Sequence, residues 1–140
     1  AIDSRRYWRR DIFSNYKAKR KVDRENSKID WNSIFEKWRK IIEEYKQNIP
    51  FIFIEVDGAE ADDIHAAIAF KLHDEFEKII NVSVDEDIAQ LMRLFENIEQ
   101  YSIRRKKMIT LESVNYDLFT HIVKGDSGDG IPNILSKYFG

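Results

Sequence analysis

The run from Phe51 to Asp63 constrains this chain more than any other stretch. Residues 51–56 are β-branched or aromatic apart from Glu55 and read as a buried strand; Gly58 turns the chain, and Glu60, Asp62 and Asp63 open a helix. Three carboxylates therefore crowd the end of a core strand. Acids also suit the first turn of a helix, because they face its positive dipole end, so the segment alone leaves a structural and a functional reading open. Recurrence favours the second. Asp85, Glu86 and Asp87 follow the apolar run 79–82, Asp126 and Asp129 follow a helical stretch, and Asp3 follows the apolar pair Ala1 and Ile2. In an open parallel sheet the ends of such elements converge on one crevice.

The rest of the chain alternates in the same way and predicts an α/β fold, a parallel sheet flanked by helices on both faces. Helices are expected over about 8–21, from an Asp30 cap through 46, over 60–76, from an Asp87 cap through 95, and over 114–124. Strands are expected over 51–56, 79–83, 98–103 and 108–111, the last two joined by a basic tip at 104–107 that is a solvated turn or a phosphate contact. Residues 22–28 read as a polar, mobile connector. Trp31, Ile34, Phe35, Trp38, Ile41, Ile42 and Tyr45 form a stripe at helical spacing, expected to be core, and the helix at 60–76 is expected to bury Ile64, Ala67, Ile68 and Leu72. His65 and His73 are placed on that helix's surface or flank. Residues 1–3 look like the end of a strand, and the chain opens without Met, so it reads as a fragment.

Composition narrows the chemistry. The chain's 140 residues, 43% of them hydrophobic, suit one domain, and no apolar run approaches the roughly 20 residues that span a bilayer. The absence of cysteine excludes disulfides, thiolate zinc sites and thiol nucleophiles, and the three histidines are scattered. Hard oxygen donors are the only plentiful ligands, so any metal should be Mg²⁺ or Mn²⁺. Charge is segregated. Residues 1–24 carry nine Lys or Arg against three Asp, a local net of +6, whereas residues 55–90 carry eleven acids against Lys71 and Lys78, a net of −9. A basic arm beside an acidic centre is what a metal enzyme acting on a polyanion needs. Within the arm Tyr7, Trp8, Phe13 and Tyr16 interleave with the cations, the composition expected for gripping single-stranded nucleic acid.

Glu60 with Asp62, Asp85 with Asp87, and Asp126 with Asp129 cannot all stay ionised in one cleft unless cations join them. Two divalent ions would remove that cost and support phosphodiester hydrolysis. No EF-hand, Walker A or Gly-x-Ser-x-Gly pattern competes.

Four motifs in order carry a family resemblance: Tyr7, Trp8, Arg9, Arg10 and Asp11 with Tyr16, Lys17, Ala18, Lys19 and Arg20; Glu60, Ala61, Asp62 and Asp63; Ser83, Val84, Asp85, Glu86 and Asp87; and Gly125, Asp126, Ser127, Gly128, Asp129, Gly130, Ile131 and Pro132. Together they resemble the 5′-nuclease (flap endonuclease) family, closest to its bacteriophage ribonuclease H branch. The resemblance implies a PIN-like nuclease domain over 1–124, with an arch or gateway helix at about 8–21 and its N-terminal strand missing. It also implies a truncated start of a helix-hairpin-helix element at 125–140. The implied activity is Mg²⁺-dependent 5′ to 3′ exonuclease or flap cleavage of RNA primers or DNA 5′ ends on duplex during phage replication.

By the same resemblance, Asp3, Glu60, Asp62 and Asp85 are ligands of a first Mg²⁺, and Asp87, Asp126 and Asp129 belong to a second, with Mn²⁺ as a substitute. Lys17 and Arg20 are the catalytic basic pair at the scissile phosphate. Arg9, Arg10, Tyr16, Lys17, Arg20 and Lys21 bind nucleic acid, Tyr16 by stacking a terminal base. Asp63 is read as a helix-surface acid in preference to an outer-shell partner of the metal site. DNA and RNA–DNA duplexes with a 5′ end or flap are the implied partners, with a single-strand-binding protein or sliding clamp as protein candidates. A monomer is expected, away from membranes, in the cytoplasm of an infected bacterial host. Gly130 and Asn133 stand where the family more often has Asn and Gly, which puts duplex binding in doubt, and weak or no activity is expected of the fragment. The rival is a nucleic-acid-binding module whose acids are structural. A third reading is a plain interaction domain with solvated charge.

Overall fold

The structure, a computed structural model, describes residues 1–85 and 87–135. Its elements are α1 (Arg9–Ile12), α2 (Ala18–Asn26), α3 (Trp31–Asn48), α4 (Ala61–Leu72), β1 (Ile79–Val82), a 3₁₀ helix (Ile88–Arg93), β2 (Ile98–Ser102), β3 (Lys107–Met108) and α5 (Leu111–Lys124). β1 runs parallel to β2, with Ile79 beside Ile98 and Asn81 beside Gln100, and β3 returns antiparallel to β2. The sheet is therefore mixed, in the order β1-β2-β3, rather than parallel throughout as expected. The physical reason is the connection: the short basic tip between β2 and β3 can only form a hairpin, whereas a parallel return needs a long crossover. Lys106, at positive φ (51°), makes that turn.

The core lies between the sheet, α4 and the 3₁₀ helix. Ala69, Ile88, Leu91 and Ile98 form its buried centre, with Ala66, Ile79, Met92 and Phe95 packed around it. Phe95 meets Phe70 edge-on at 4.9 Å and stacks with His73 at 4.3 Å. Along β2, Ile98, Gln100 and Ser102 point inward and alternate with half-exposed Glu99 and Tyr101, the two-residue period of a strand with one buried face. α5 packs against the 3₁₀ helix.

Several expected elements differ. Residues 51–56 do not form a buried strand: Glu55 makes a single parallel bridge to Ile2, and Phe51 and Ile52 are 70% and 88% exposed. An apolar run becomes a strand only where a neighbour completes its ladder, and among the described residues Ile2 alone does so. The helix expected at 8–21 is broken into α1 and α2, because Phe13 is extended and Lys17 is left-handed (φ 53°). The expected connector at 22–28 is in large part the end of α2.

Asp30 caps α3 as predicted, accepting from the Ser33 N–H at 3.1 Å, but the stripe on α3 is not core. Only Ile42 is buried there, and Trp38 is 57% exposed. No described element packs extensively along α3, so its apolar face stays open. On α4, Ile64 and Ala69 are buried while Ala67 is exposed. Glu86 and residues 136–140, where the helix-hairpin-helix element was expected to continue, lie outside the described residues.

Candidate active site

The site is built around the start of α4. Ile2 N–H donates to the Ile54 carbonyl (2.9 Å), Ser4 N–H to Ala59 (3.0 Å), and Gly58 N–H to Ser4 Oγ (3.1 Å), which lays residues 1–4 beside residues 54–59. Gly58 takes the turn at φ 80°, a conformation glycine adopts without strain. Asp3 thereby reaches the helix terminus, where its Oδ1 accepts from the Ala61 N–H at 2.7 Å. Asp63 accepts from the Glu60 N–H at 2.9 Å, so two of the terminal acids also satisfy orphan donors.

Glu60 is 2% exposed and holds three partners: Arg9 Nη1 (2.9 Å) and Tyr16 Oη (2.9 Å) donate to Oε2, and Lys17 Nζ donates to Oε1. Burial pulls the Lys17 ammonium down, but the bonds to Glu60 and Tyr16 and the nearby Asp129 outweigh it, so Lys17 stays protonated above its ordinary value. Burial pushes the Tyr16 phenol up to about 12. Arg9 also grips Asp63 with both nitrogens (2.8 and 2.9 Å), and Trp8 Nε1 donates to the same carboxylate at 3.1 Å. Burial raises Asp63, but these donors override it and hold it below the ordinary carboxylate value. Asp63, read from sequence as a surface acid, is thus an anchor for the arm.

The arm's other anchor is the loop after α5. Lys17 N–H donates to the Asp129 carbonyl (3.0 Å), Lys17 Nζ lies 4.0 Å from Asp129 Oδ2, and Arg20 bonds to the Asp129 carboxylate and the Gly128 carbonyl. These long-range bonds explain the break between α1 and α2: they pull Tyr16 and Lys17 inward where a continuous helix would point them elsewhere.

The remaining acids gather beside this clasp. Asp62 is half-buried, and burial, followed by the charges of Asp85 and Asp3, pushes its carboxyl up to about 6. Asp87 is also raised, by burial and then by Asp85, with His121 at 3.4 Å partly offsetting the shift. Asp126 turns onto its own loop, accepting from Gly128 and Asp129 N–H groups (2.7 and 3.1 Å). The structure thus brings Asp3, Glu60 and Asp85 within electrostatic range of Asp62, and Asp85 and Asp126 within range of Asp87. Among the described residues no three Asp, Glu or His side chains close around a common point that could hold an ion. Glu60 and Asp129 are instead held by Lys17 and Arg20. The donor chemistry nonetheless fits a hard divalent cation, since all donors are carboxylates and the crowding at Asp62 is what such a cation relieves.

Of the expected nucleic-acid residues, Arg9, Lys17 and Arg20 are engaged with acids, and Tyr16 is 8% exposed, with its ring covered. Arg10 and Lys21 face a groove of about 500 Å³ between the arm and α3, lined also by Arg5, Tyr7, Arg24, Trp31 and Phe35. Arg10 lies over the Tyr7 ring at 5.3 Å and Arg24 over Phe35 at 5.9 Å. Trp31 and Phe35, expected from their helical spacing to be core, line the groove instead; their signal was their place at the start of the helix that follows the basic arm.

Comparison with known proteins identifies the family and the fold. The family described as 5′-3′ exonuclease, N-terminal resolvase-like domain, matches residues 1–118. Ribonuclease H of Enterobacteria phage T4 is 38% identical over 130 residues, 91% of this chain and 42% of the phage protein. A 5′-3′ exonuclease of Buchnera aphidicola subsp. Schizaphis graminum is 30% identical over 139 residues, 94% of this chain and 45% of that protein. The chain thus spans less than half the length of these relatives. In fold it is similar to the phage T5 D15 protein co-crystallised with metal ions, with a TM-score of 0.79 at 17% identity, covering 96% of this chain and 54% of that one. A second structure, of the T5 D15 flap endonuclease in a pseudo-enzyme-product complex with DNA and metal ions, aligns at a TM-score of 0.73 and 18% identity, over 96% of this chain and 53% of that one. With its resolvase-like, PIN-type fold and its acids gathered at the start of α4, the chain belongs to the 5′-3′ exonuclease family.

Proposed function

We propose that the protein hydrolyses phosphodiester bonds at the 5′ ends or flaps of RNA or DNA strands on duplex, in phage replication inside an infected cell. The observation that carries this reading is the crowding of Asp62 by Asp85 and Asp3 directly beside a basic arm. Asp3, Glu60, Asp62 and Asp85 would hold one Mg²⁺, and Asp87, Asp126 and Asp129 a second, with Mn²⁺ able to replace it. Bound there, such ions would supply an activated hydroxide and stabilise the charge of an in-line displacement. The likeness to a flap endonuclease solved with DNA and metal ions supports the substrate class.

The chain's own residues take the remaining roles. Arg10 and Lys21 hold phosphates along the groove, where Tyr7 and Trp31 offer ring faces to bases. Lys17 and Arg20 lie between the arm and the acids, where their charges offset that of a phosphate entering the site. Tyr16 orients Glu60 through its hydroxyl.

Asp62→Asn combined with Asp87→Asn, assayed on a 5′-labelled nicked or flapped duplex with Mg²⁺ or Mn²⁺, tests the proposal. Cleavage should be lost while binding is retained. Undiminished cleavage in the double variant would reject the assignment.

A further inference from the structure

The buried face of the sheet changes character along the strands. At their amino ends it is apolar, with Ile79 beside Ile98 against the core. Toward their carboxyl ends, where the acids lie, it becomes polar: Asn81 stands beside Gln100, and Ser102 follows. Gln100, 2% exposed, is among the largest fully buried side chains of the protein. Its amide nitrogen donates to the carbonyls of Asp85 (2.7 Å) and Ser83 (3.3 Å). Two acceptors converging on one nitrogen fix the amide's orientation, because the opposite flip would set oxygen against oxygen.

Those carbonyls belong to the turn that delivers Asp85 and Asp87. The turn is closed locally by Asp85 N–H on Ser83 Oγ (3.0 Å) and Asp87 N–H on Asp85 Oδ1 (2.9 Å). It joins the sheet by the Ser83 N–H bond to Tyr101 (3.1 Å), to which Gln100 adds its two. On the other side Asn81 Oδ1 meets His65 Nδ1 at 3.0 Å, on the helix that carries Asp62. Among the described residues Asn81 Nδ2 and Gln100 Oε1 are buried without partners, a donor and an acceptor on register-paired neighbours. Two polar pairings therefore lie side by side in the core, His65 with Asn81 and Gln100 with the Asp85 turn, with no hydrogen bond between Asn81 and Gln100.

We propose that Gln100 is a positioning residue for the acid cluster. It holds the Ser83 and Asp85 carbonyls and so fixes the turn that presents Asp85 and Asp87 to the cluster. The inference deepens the nuclease reading and rests on it for the purpose of the cluster.

Gln100→Met keeps the length of the side chain and removes both donors, and Gln100→Glu sets an oxygen against the two carbonyls. Mn²⁺ alone, titrated by electron paramagnetic resonance, should bind at least about tenfold more weakly to either variant. Backbone amide exchange at Asp85 and Asp87 should speed up by a similar factor, with Ile79 and Ile98 unchanged. Glu99→Gln, on the opposite face, should alter neither. A folded Gln100→Met with wild-type Mn²⁺ affinity and wild-type exchange overturns the proposal. Should the variants fail to fold, the side-chain amide protons of wild-type Gln100 decide: slow exchange supports the two bonds, and exchange at the rate of a free amide rejects them. A wild type that takes up no Mn²⁺ sinks the nuclease reading, and the exchange comparison then judges Gln100 by itself.

Discussion

Asp62 and Glu60, two positions apart, show how differently one site can treat two carboxylates. Glu60 is the more buried, yet Arg9, Tyr16 and Lys17 all donate to it. Asp62 faces other acids instead, and burial with Asp85 and Asp3 raises it from 3.8 to about 6. Between those two values the folded chain binds more protons at Asp62 than the unfolded chain, so stability falls as pH rises through that window and stays reduced above it. Asp62→Asn should therefore raise the melting temperature by about 5 °C at pH 7.5 without divalent ions, on the order of 2 kcal/mol, and the gain should vanish near pH 3.5. Melts followed by circular dichroism across that range check this; a variant no more stable than wild type at pH 7.5 would mean the acids are not crowded. Lys17→Met has the opposite sign. It leaves a buried carboxylate short of a cation and should cost about 2–3 kcal/mol in urea unfolding at neutral pH.

The arm and the loop after α5 depend on each other as elements. Gly130, at φ 79°, sits so close to the Asn15 carbonyl oxygen that an added Cβ would lie 2.9 Å from it. Gly130→Ala should cost about 1–2 kcal/mol and speed proteolysis at residues 13–17, while the core cluster keeps its protection. Unchanged cleavage there would show that the loop does not hold the arm. The same contacts explain what could and could not be read beforehand. The recurrence of Asp3, Glu60, Asp62, Asp85 and Asp87 at the ends of elements was legible because it is local, as was the Asp30 cap of α3. The break at residues 13–17 was not, since it is imposed by Glu60 and Asp129, distant along the chain. Asp63 was misread for the same reason: its partner Arg9 lies outside any window that periodicity samples. The stripe on α3 marked a face with apolar character, but periodicity says nothing about what covers such a face.

Across the whole molecule the basic arm and the acidic centre partly cancel each other, and that decides which cations remain for a polyanion. Arg9, Lys17 and Arg20 are bound to Glu60, Asp63 and Asp129, whereas Arg5, Arg10, Lys21 and Arg24 line the groove beside Tyr7, Trp31 and Phe35. The pairing of Lys21 with Glu25 is long (3.8 Å) and solvent-exposed, so it competes weakly with a phosphate. If these four groove cations carry the binding, affinity for a single strand should fall with salt at a slope near −3, since each neutralised phosphate contributes about −0.7. Lys21→Ala or Arg24→Ala should each reduce the slope by about 0.7. Arg9→Ala should lower stability and leave the slope where it was, because its charge already serves Asp63 and Glu60. Trp31→Ala should weaken binding by about 1–3 kcal/mol at every salt concentration, the signature of lost stacking rather than lost charge. Fluorescence titrations with an oligonucleotide at several salt concentrations separate these cases. A slope that drops with Arg9→Ala while ignoring Lys21→Ala and Arg24→Ala would mean that nucleic acid opens the clasp and binds the arm's inner face instead of the groove.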